Sequence, residues 1–291
     1  MVVNSSRDCF STPAPGASGG SQGRSQPGLP DEVVWHDLEC GSYRADLPLW
    51  RELAEREGEP ILDIGAGSGR VTLELAGAGH RIVALDLDRD LLEALRDRFG
   101  ALRDRSEALR DRDRSGAPAV QTVCADARSF DLAHRDFALC LVPMQTIQLL
   151  GDASGRRAFL RCAHAHLRPG GLLACAIATG LEPFDIADGV PAPTPETARL
   201  GDRLYVSQAE SVRVLAGRVV IARSRKIMSS TGEELSDGSS FAAERNVIEL
   251  TRIEATEVER EGLEAGFSPE PARVIEPTEE HVGSVVVMLR V

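Results

Sequence analysis

Lysine is nearly missing from this 291-residue chain: Lys226 stands alone among 33 basic residues, the rest being arginine. Arginine use of that kind reads as the mark of a GC-rich genome, not as a task for arginine. Basic charge is also outnumbered, and the net charge of −12 argues against nucleic acid as a partner, since phosphate backbones are met by a basic face. The six cysteines (Cys9, Cys40, Cys124, Cys140, Cys162 and Cys175) contain no C-x-x-C pair, which removes a zinc ribbon or a dithiol redox motif. Cys124, Cys140 and Cys175 fall in apolar strand-like runs, where a thiol packs as an inert group. A reducing, cytoplasmic setting is expected. No apolar run reaches the roughly 18–20 residues that cross a bilayer, so no membrane partner is expected.

Aromatic residues are scarce too, with two Trp and two Tyr. Three of these four lie in one stretch, residues 33–58, as Trp35, Tyr43 and Trp50. The segment before it, "STPAPGASGGSQGRSQPGLP" (11–30), has almost no large apolar group and reads as a disordered leader. The chain therefore divides as a leader (1–30), an N-terminal helical flap (31–58) and a larger remainder.

What is present from residue 59 onward is a regular alternation. "ILDIG" (61–65) reads as a strand, Arg70–Ala78 as a helix and "RIVALDLD" (81–88) as a second strand. "LLEALRDRFGALRDRSEALRDRDRS" (91–115) repeats EALRDR fourteen residues apart and reads as one long amphipathic helix or a partner-binding coiled-coil arm. "VQTVCADAR" (120–128), "FALCLVPMQ" (137–145) and "LLACAIA" (172–178) are further strands. Between the last two, "GRRAFLRCAHAHLRPGG" (155–171) is a helix closed by Pro169-Gly170-Gly171, with His164 and His166 on its surface. Strand and helix in strict alternation imply an α/β domain with a parallel sheet covered on both faces (59–179). The rhythm then changes. Residues 202–228 hold two strand-like runs meeting at Ala216-Gly217, and "RNVIELTRI" (245–253) adds another, which makes 180–253 an antiparallel insertion. Thr256 and Glu259 suit a capping box opening a helix over Glu257–Ala265, and two strands, "ARVIEP" and "SVVVMLRV", complete 254–291.

The glycine loop Gly65-x-Gly67-x-Gly69 asks which nucleotide it serves. A dinucleotide fingerprint carries a small residue at its sixth position, where this chain has Arg70. Asp63, two residues before the loop, would repel a pyrophosphate and tolerate a cation. Asp86, ending the second strand, is placed to accept from both ribose hydroxyls, and Asp126, after the third, from the exocyclic amine of adenine. The implied ligand has an adenosine and a cationic centre, and no phosphate.

Together, D-x-G-x-G-x-G (Asp63–Gly69), the strand-end Asp86, the block Ala125–Ala127 and "LRPGGLL" (167–173) resemble the class I S-adenosylmethionine-dependent methyltransferases. The resemblance covers about residues 45–180 and resumes in "EGLEAGF" (261–267). It departs in one place: Asp136-Phe137-Ala138 stands where many relatives have Phe-Asp. The resemblance implies a Rossmann-like, seven-stranded sheet with an antiparallel last strand, and S-adenosyl-L-methionine as cofactor. It implies that Gly65 and Gly67 let backbone approach the methionine part, with Asp63 supporting the loop and the amino group. Asp86 would hold the ribose, Leu87 would pack on the adenosine, Asp126 and Ala127 would recognise adenine, and the Val142 carbonyl would meet the ammonium. Tyr43 would close over the methionine end, or else anchor a helix to the sheet.

Methyl transfer is an in-line displacement in which the protein aligns the partners and excludes water. The segment facing the methyl group in this family is here "PMQTIQLL" (143–150), which lacks the Asn-Pro-Pro-Tyr type of motif used on nucleobases. Met144, Gln145 and Gln148 would line a small-molecule pocket, with a capping or buried structural role as the other reading of Gln145. No catalytic base is assigned. His36 and His281 are candidates outside the core, and Glu182 and Asp185 are placed near an acceptor. The insertion resembles the antiparallel lid of small-molecule methyltransferases, giving a small-molecule methyl acceptor on oxygen or nitrogen, no metal, and homodimerisation left open. A non-catalytic cofactor-binding protein and an NAD(P)-dependent oxidoreductase are the other classes carried forward.

Overall fold

The computed structural model describes residues 29–106, 119–229, 244–279 and 281–291. Most of the leader and the second copy of the EALRDR repeat lie outside the described residues.

Seven strands form the main sheet: β1 (Ile61–Ile64), β2 (Ile82–Asp86), β3 (Val120–Cys124), β4 (Phe137–Val142), β5 (Leu167–Ala178), β11 (Ser268–Ile275) and β12 (Ser284–Arg290). Their spatial order is β11-β12-β5-β4-β1-β2-β3. The five strands from β1 to β5 pair in parallel, and β12 enters antiparallel between β5 and β11. This is the Rossmann-like α/β sheet with an antiparallel last strand that the sequence resemblance implies. All six residues of β4 are buried, as expected of a central parallel strand covered on both faces.

Helices supply the two covers. On one face α2 (Leu47–Glu57), α3 (Arg70–Gly77) and α4 (Arg89–Arg105) bring Trp50, Leu53, Val71, Leu75 and Phe99 onto the sheet. On the other, α5 (Ala153–His166) and α6 (Ala255–Glu264) bring Phe159, Leu160, Ala163 and Val258. Helix α4 starts where Asp88 caps it, accepting from the N–H groups of Asp90 (2.9 Å) and Leu91 (3.1 Å). It ends at Ser106.

A second, antiparallel sheet has the order β10-β9-β8-β6, with β7 also on β8. Its main hairpin, β8 (Arg203–Leu215) and β9 (Arg218–Ser229), turns at Ala216-Gly217 as the sequence suggests, and β10 (Glu244–Thr251) runs beside β9. The short strands are β6 (Phe184–Asp185) and β7 (Glu196–Leu200). The N-terminal helix α1 (Asp31–Cys40) packs between helix α4 and strands β7 and β8 of the second sheet, with Trp35 edge-on to Tyr205 at 5.0 Å.

Three local expectations differ from the structure. The capping box at Thr256 and Glu259 is not formed: helix α6 begins at Ala255 behind Glu254, with no side-chain cap. Pro169-Gly170-Gly171 does not close a helix. The chain passes from His166 directly into β5, and Gly170 and Gly171 exchange backbone bonds with Val291 at 3.0 Å, extending the strand with its neighbour. His166 is 2% exposed instead of lying on the surface. Its Nδ1 donates to the carbonyl of Cys162 (2.7 Å), and its Nε2 accepts from the N–H of Leu132 (2.9 Å), so the ring fastens the loop before β4 to helix α5. Helical periodicity cannot show this, because the partner belongs to a loop 34 residues away.

Candidate active site

Crossing from β1 to α3, the chain turns over Gly65–Gly69, at the carboxyl ends of the parallel strands, where open α/β sheets bind ligands. All three of its glycines meet neighbours directly, one of them, Gly69, against Leu95. A Cβ on Gly65 would lie 2.5 Å from Thr146 Cγ2, and one on Gly67 would lie 2.4 Å from His36 Nε2. Both also sit at positive φ, +70° and +53°, where a side chain is strained.

Three acids surround this loop. Asp86 is at the end of β2, and its carboxylate accepts from the N–H of Gly67 (2.8 Å) and of Asp88 (2.9 Å). Burial raises its pKa against the lowering effect of those two bonds. Asp63 is 1% exposed. One of its oxygens accepts from Thr72 Oγ1 at 2.7 Å, while Oδ1 has no hydrogen-bond partner among the described residues. Burial pushes its pKa to about 7. Asp126 is held by Arg128 through Nε (2.9 Å) and Nη2 (2.6 Å), and this pairing lowers its pKa.

One pocket of about 600 Å³ brings these groups together, within the range of small-molecule sites. Of the residues singled out in the sequence, Asp63, Gly65, Asp86, Leu87, Asp126, Ala127, Met144, Gln145 and His36 line it. Leu87 is 67% exposed there, an apolar surface open to a flat ligand. Met144 is the one non-glycine residue at positive φ (55°) among the described residues, a strained backbone of the kind that collects at functional sites.

Other residues lie elsewhere. Gln148 is 3% exposed and outside the lining: its Nε2 donates to the Thr251 carbonyl (3.2 Å) and its Oε1 accepts from the Ala178 N–H (2.9 Å), tying β5 to the end of β10. Val142 is fully buried, and the lining begins one residue later at Pro143. Gly67 lies under the His36 ring. Tyr43 is buried against the Arg70 guanidinium and edge-on to His281 at 5.0 Å, with neither ring in the lining. Asp185 pairs with Arg213 (2.7 Å), and it and Glu182 are outside the lining.

Several contacts at the site are not legible in the sequence. Arg70, conspicuous there only as a bulky intruder, makes a two-pronged ion pair with the buried Asp46 (2.6 and 2.7 Å) and donates to the carbonyl of Tyr43 (3.0 Å). It fastens the aromatic segment to the start of α3. Arg225 from β9 reaches the pocket rim and pairs with Glu39 of α1 (2.9 and 2.8 Å). The partners are 24 and 186 residues apart, so no local pattern announces them.

Residues 61–171 match the family model described as a methyltransferase domain. The core is a class I S-adenosylmethionine-dependent methyltransferase domain. S-adenosylmethionine is the cofactor of such domains, and the match sets aside the dinucleotide reading that Arg70 and Asp63 already opposed. Solved structures show the same fold over nearly the whole chain. An amino pentose methyltransferase from Micromonospora echinaspora, involved in calicheamicin biosynthesis, is 17% identical over 92% of this chain and 100% of that one, with a TM-score of 0.61. A sugar N-methyltransferase from Streptoalloteichus sp ATCC 53650 is 16% identical over 94% and 98%, also at 0.61. At these identities the likeness is one of fold. A ribosomal RNA small subunit methyltransferase A from Anaeromyxobacter dehalogenans is 46% identical over 46 residues, and the match spans 16% of each chain.

The polar groups of the pocket suit that cofactor. The orphaned oxygen of Asp63 is a buried acceptor lacking a donor, which an ammonium supplies. Asp86 beside the Gly67 backbone suits a diol, and the three arginines of the lining, Arg70, Arg128 and Arg225, are each paired with a carboxylate.

Proposed function

We propose that this protein transfers a methyl group from S-adenosylmethionine to an oxygen or nitrogen of a small molecule, a metabolite or natural product. The observation that carries this is the continuity of the pocket. Its floor is the loop and acids of the core, and its rim includes Arg225 and Ile248 from the second sheet, with Glu32, His36 and Glu39 from α1. An acceptor must fit beneath that cover, which suits a small molecule and not a folded nucleic acid. The net charge of −12 weighs the same way. The second sheet then acts as a lid that shields the reaction and selects the acceptor.

In this reading Asp63 faces the cofactor's ammonium with the Val142 carbonyl nearby, Gly65 admits the methionine part, and Asp86, held by the Gly67 N–H, takes the ribose. Leu87 packs on the adenosine, and Asp126, flattened against Arg128, meets adenine with Ala127. Met144 and Gln145 border the acceptor, and Gln148 holds their segment in place. The cofactor brings an activated methyl on a sulfonium centre; the chain aligns the acceptor in line with it and keeps water out.

Two measurements test the reading. Incubation with radiolabelled S-adenosylmethionine and fractionated small-molecule extracts should label a low-mass product, and labelling of RNA alone would overturn the acceptor class. In thermal melts, S-adenosylmethionine or S-adenosylhomocysteine at a hundred times its Kd should add about 2.7 kcal/mol. That is a rise of a few degrees for a chain of this size. NAD and NADP should add nothing, and stabilisation by a dinucleotide with both sulfur ligands silent would refute the cofactor assignment.

Cofactor affinity should also depend on pH. Below about 7 Asp63 holds a proton in the ligand-free protein, and an ammonium beside it favours the charged form. Binding then expels that proton, so affinity falls as pH drops below about 7 and levels off above it. Titration calorimetry in buffers of different ionisation enthalpy reads the proton directly. Asp63→Asn should abolish the release, and equal affinity at pH 5.5 and 8 in the parent would refute the role.

A further inference from the structure

Helix α1 presents one histidine to the cofactor loop. His36 lies with its Nε2 edge over Gly67, close enough that a Cβ there would be 2.4 Å away. Its other nitrogen is part of a fixed chain. Ser68 Oγ stands 3.2 Å from His36 Nδ1 and donates to Asp37 Oδ1 at 2.6 Å. Arg98 from α4 pairs with both carboxylate oxygens of Asp37, and its Nη1 also donates to the Ser68 carbonyl (3.2 Å).

This chain sets the direction of every proton in it. A salt-bridged carboxylate only accepts, so the single hydroxyl proton of Ser68 points at Asp37. The Ser68 oxygen then faces Nδ1 with a lone pair, and Nδ1 must carry the hydrogen. In the neutral ring Nε2 is therefore a bare acceptor, and it borders the pocket beside Asp86, whose Oδ2 is bonded to the N–H of the same Gly67 at 2.8 Å. A bare acceptor selects donors. The ammonium has its own acceptor in Asp63, and the adenine amine has Asp126. The donors left for the Gly67–Asp86 corner are the two ribose hydroxyls.

We propose that His36 is a cofactor-binding residue whose Nε2 accepts a hydrogen bond from a ribose hydroxyl, sharing the diol with Asp86. This rests on the S-adenosylmethionine reading of the pocket. It gives α1 a role beyond cover: the helix carrying His36 also holds the second sheet, through Glu39 to Arg225 (2.8 Å) and Ser207 (2.8 Å) and through Asp31 to Tyr205 (2.6 Å). A filled ribose corner thereby steadies the element that seats the acceptor side.

The test is a cycle of variants and ligands on the full chain, read by calorimetric Kd for S-adenosylhomocysteine and its 2′-deoxy and 3′-deoxy analogues. In His36→Ala, Kd for the parent ligand should rise roughly three- to tenfold, the range of one neutral hydrogen bond. The penalty for deleting one of the two hydroxyls should shrink by the same factor in His36→Ala. His36→Gln, which keeps an acceptor on a shorter arm, should recover part of the loss. Ser68→Ala, which releases Nδ1, should give a smaller loss of the same kind. Unchanged Kd in His36→Ala, or identical deoxy penalties in parent and variant, overturns the proposal. So does a His36→Ala that loses turnover alone with the binding cycle intact, since that is a base acting on the acceptor. Failure of the unmodified chain to bind S-adenosylhomocysteine at all would instead strike the cofactor reading itself.

Discussion

Arg70→Ala should cost about 3–5 kcal/mol of stability, the usual consequence of removing one partner from a buried ion pair. Asp46 is 1% exposed and Arg70 has a side chain 9% exposed. Asp46 would keep only the indole N–H of Trp50 (2.8 Å) and would face the interior as an uncompensated charge. A loss of that size lowers the melting temperature by on the order of ten degrees in a chain of this length. The double variant Arg70→Leu with Asp46→Leu separates the charge effect from lost packing, because deleting both partners removes the stranded charge. It should be more stable than Arg70→Ala. Chemical denaturation checks both, and a loss under about 1 kcal/mol for Arg70→Ala, the range of an exposed pair, would mean the clamp is surface-like. The loop should suffer as well. Arg70 opens α3 directly after Gly69, so releasing it frees the start of that helix from the carbonyl of Tyr43.

Asp86→Ala should weaken S-adenosylhomocysteine by roughly thirtyfold or more, from a loss of about 2–3 kcal/mol in charge-assisted bonds to the ribose. The same change removes the acceptor of the Gly67 and Asp88 N–H groups, so the loop loses its inner support along with its ligand. Asp86→Asn distinguishes these effects. Its amide oxygen can still accept from Gly67, at the expense of the Asp88 bond, so the loop keeps its inner support, but it brings no charge to the diol and should lose affinity with a smaller fall in melting temperature than Asp86→Ala. Calorimetry on both variants decides the matter, and an Asp86→Ala chain that binds as tightly as its parent would remove this residue from the site.

Local pattern along the chain places the order of elements in the core, the glycine loop and the acids after β2 and β3. These are local facts: a period of two or 3.6, a turn that only glycine tolerates, a carboxylate placed by counting from the end of a strand. It also placed the hairpin at Ala216-Gly217. What it could not determine are the joints between elements far apart in the chain. Gln148 reads as a pocket residue because it follows β4, and becomes a brace only when Ala178 and Thr251 arrive on either side. His166 reads as a surface group at the end of a polar helix, until the loop at Leu132 folds under it. Tyr43 reads as a flap over the methionine end, but Arg70, turned toward Asp46, takes the ring's face. His36 is one of six histidines, and its neighbour Asp37 alone does not fix where its proton sits. Its chemistry comes from Asp37 together with Ser68 and Arg98, 32 and 62 residues on, because the direction of a proton in a hydrogen-bonded chain depends on all the groups packed along it, and only one of these is adjacent in sequence.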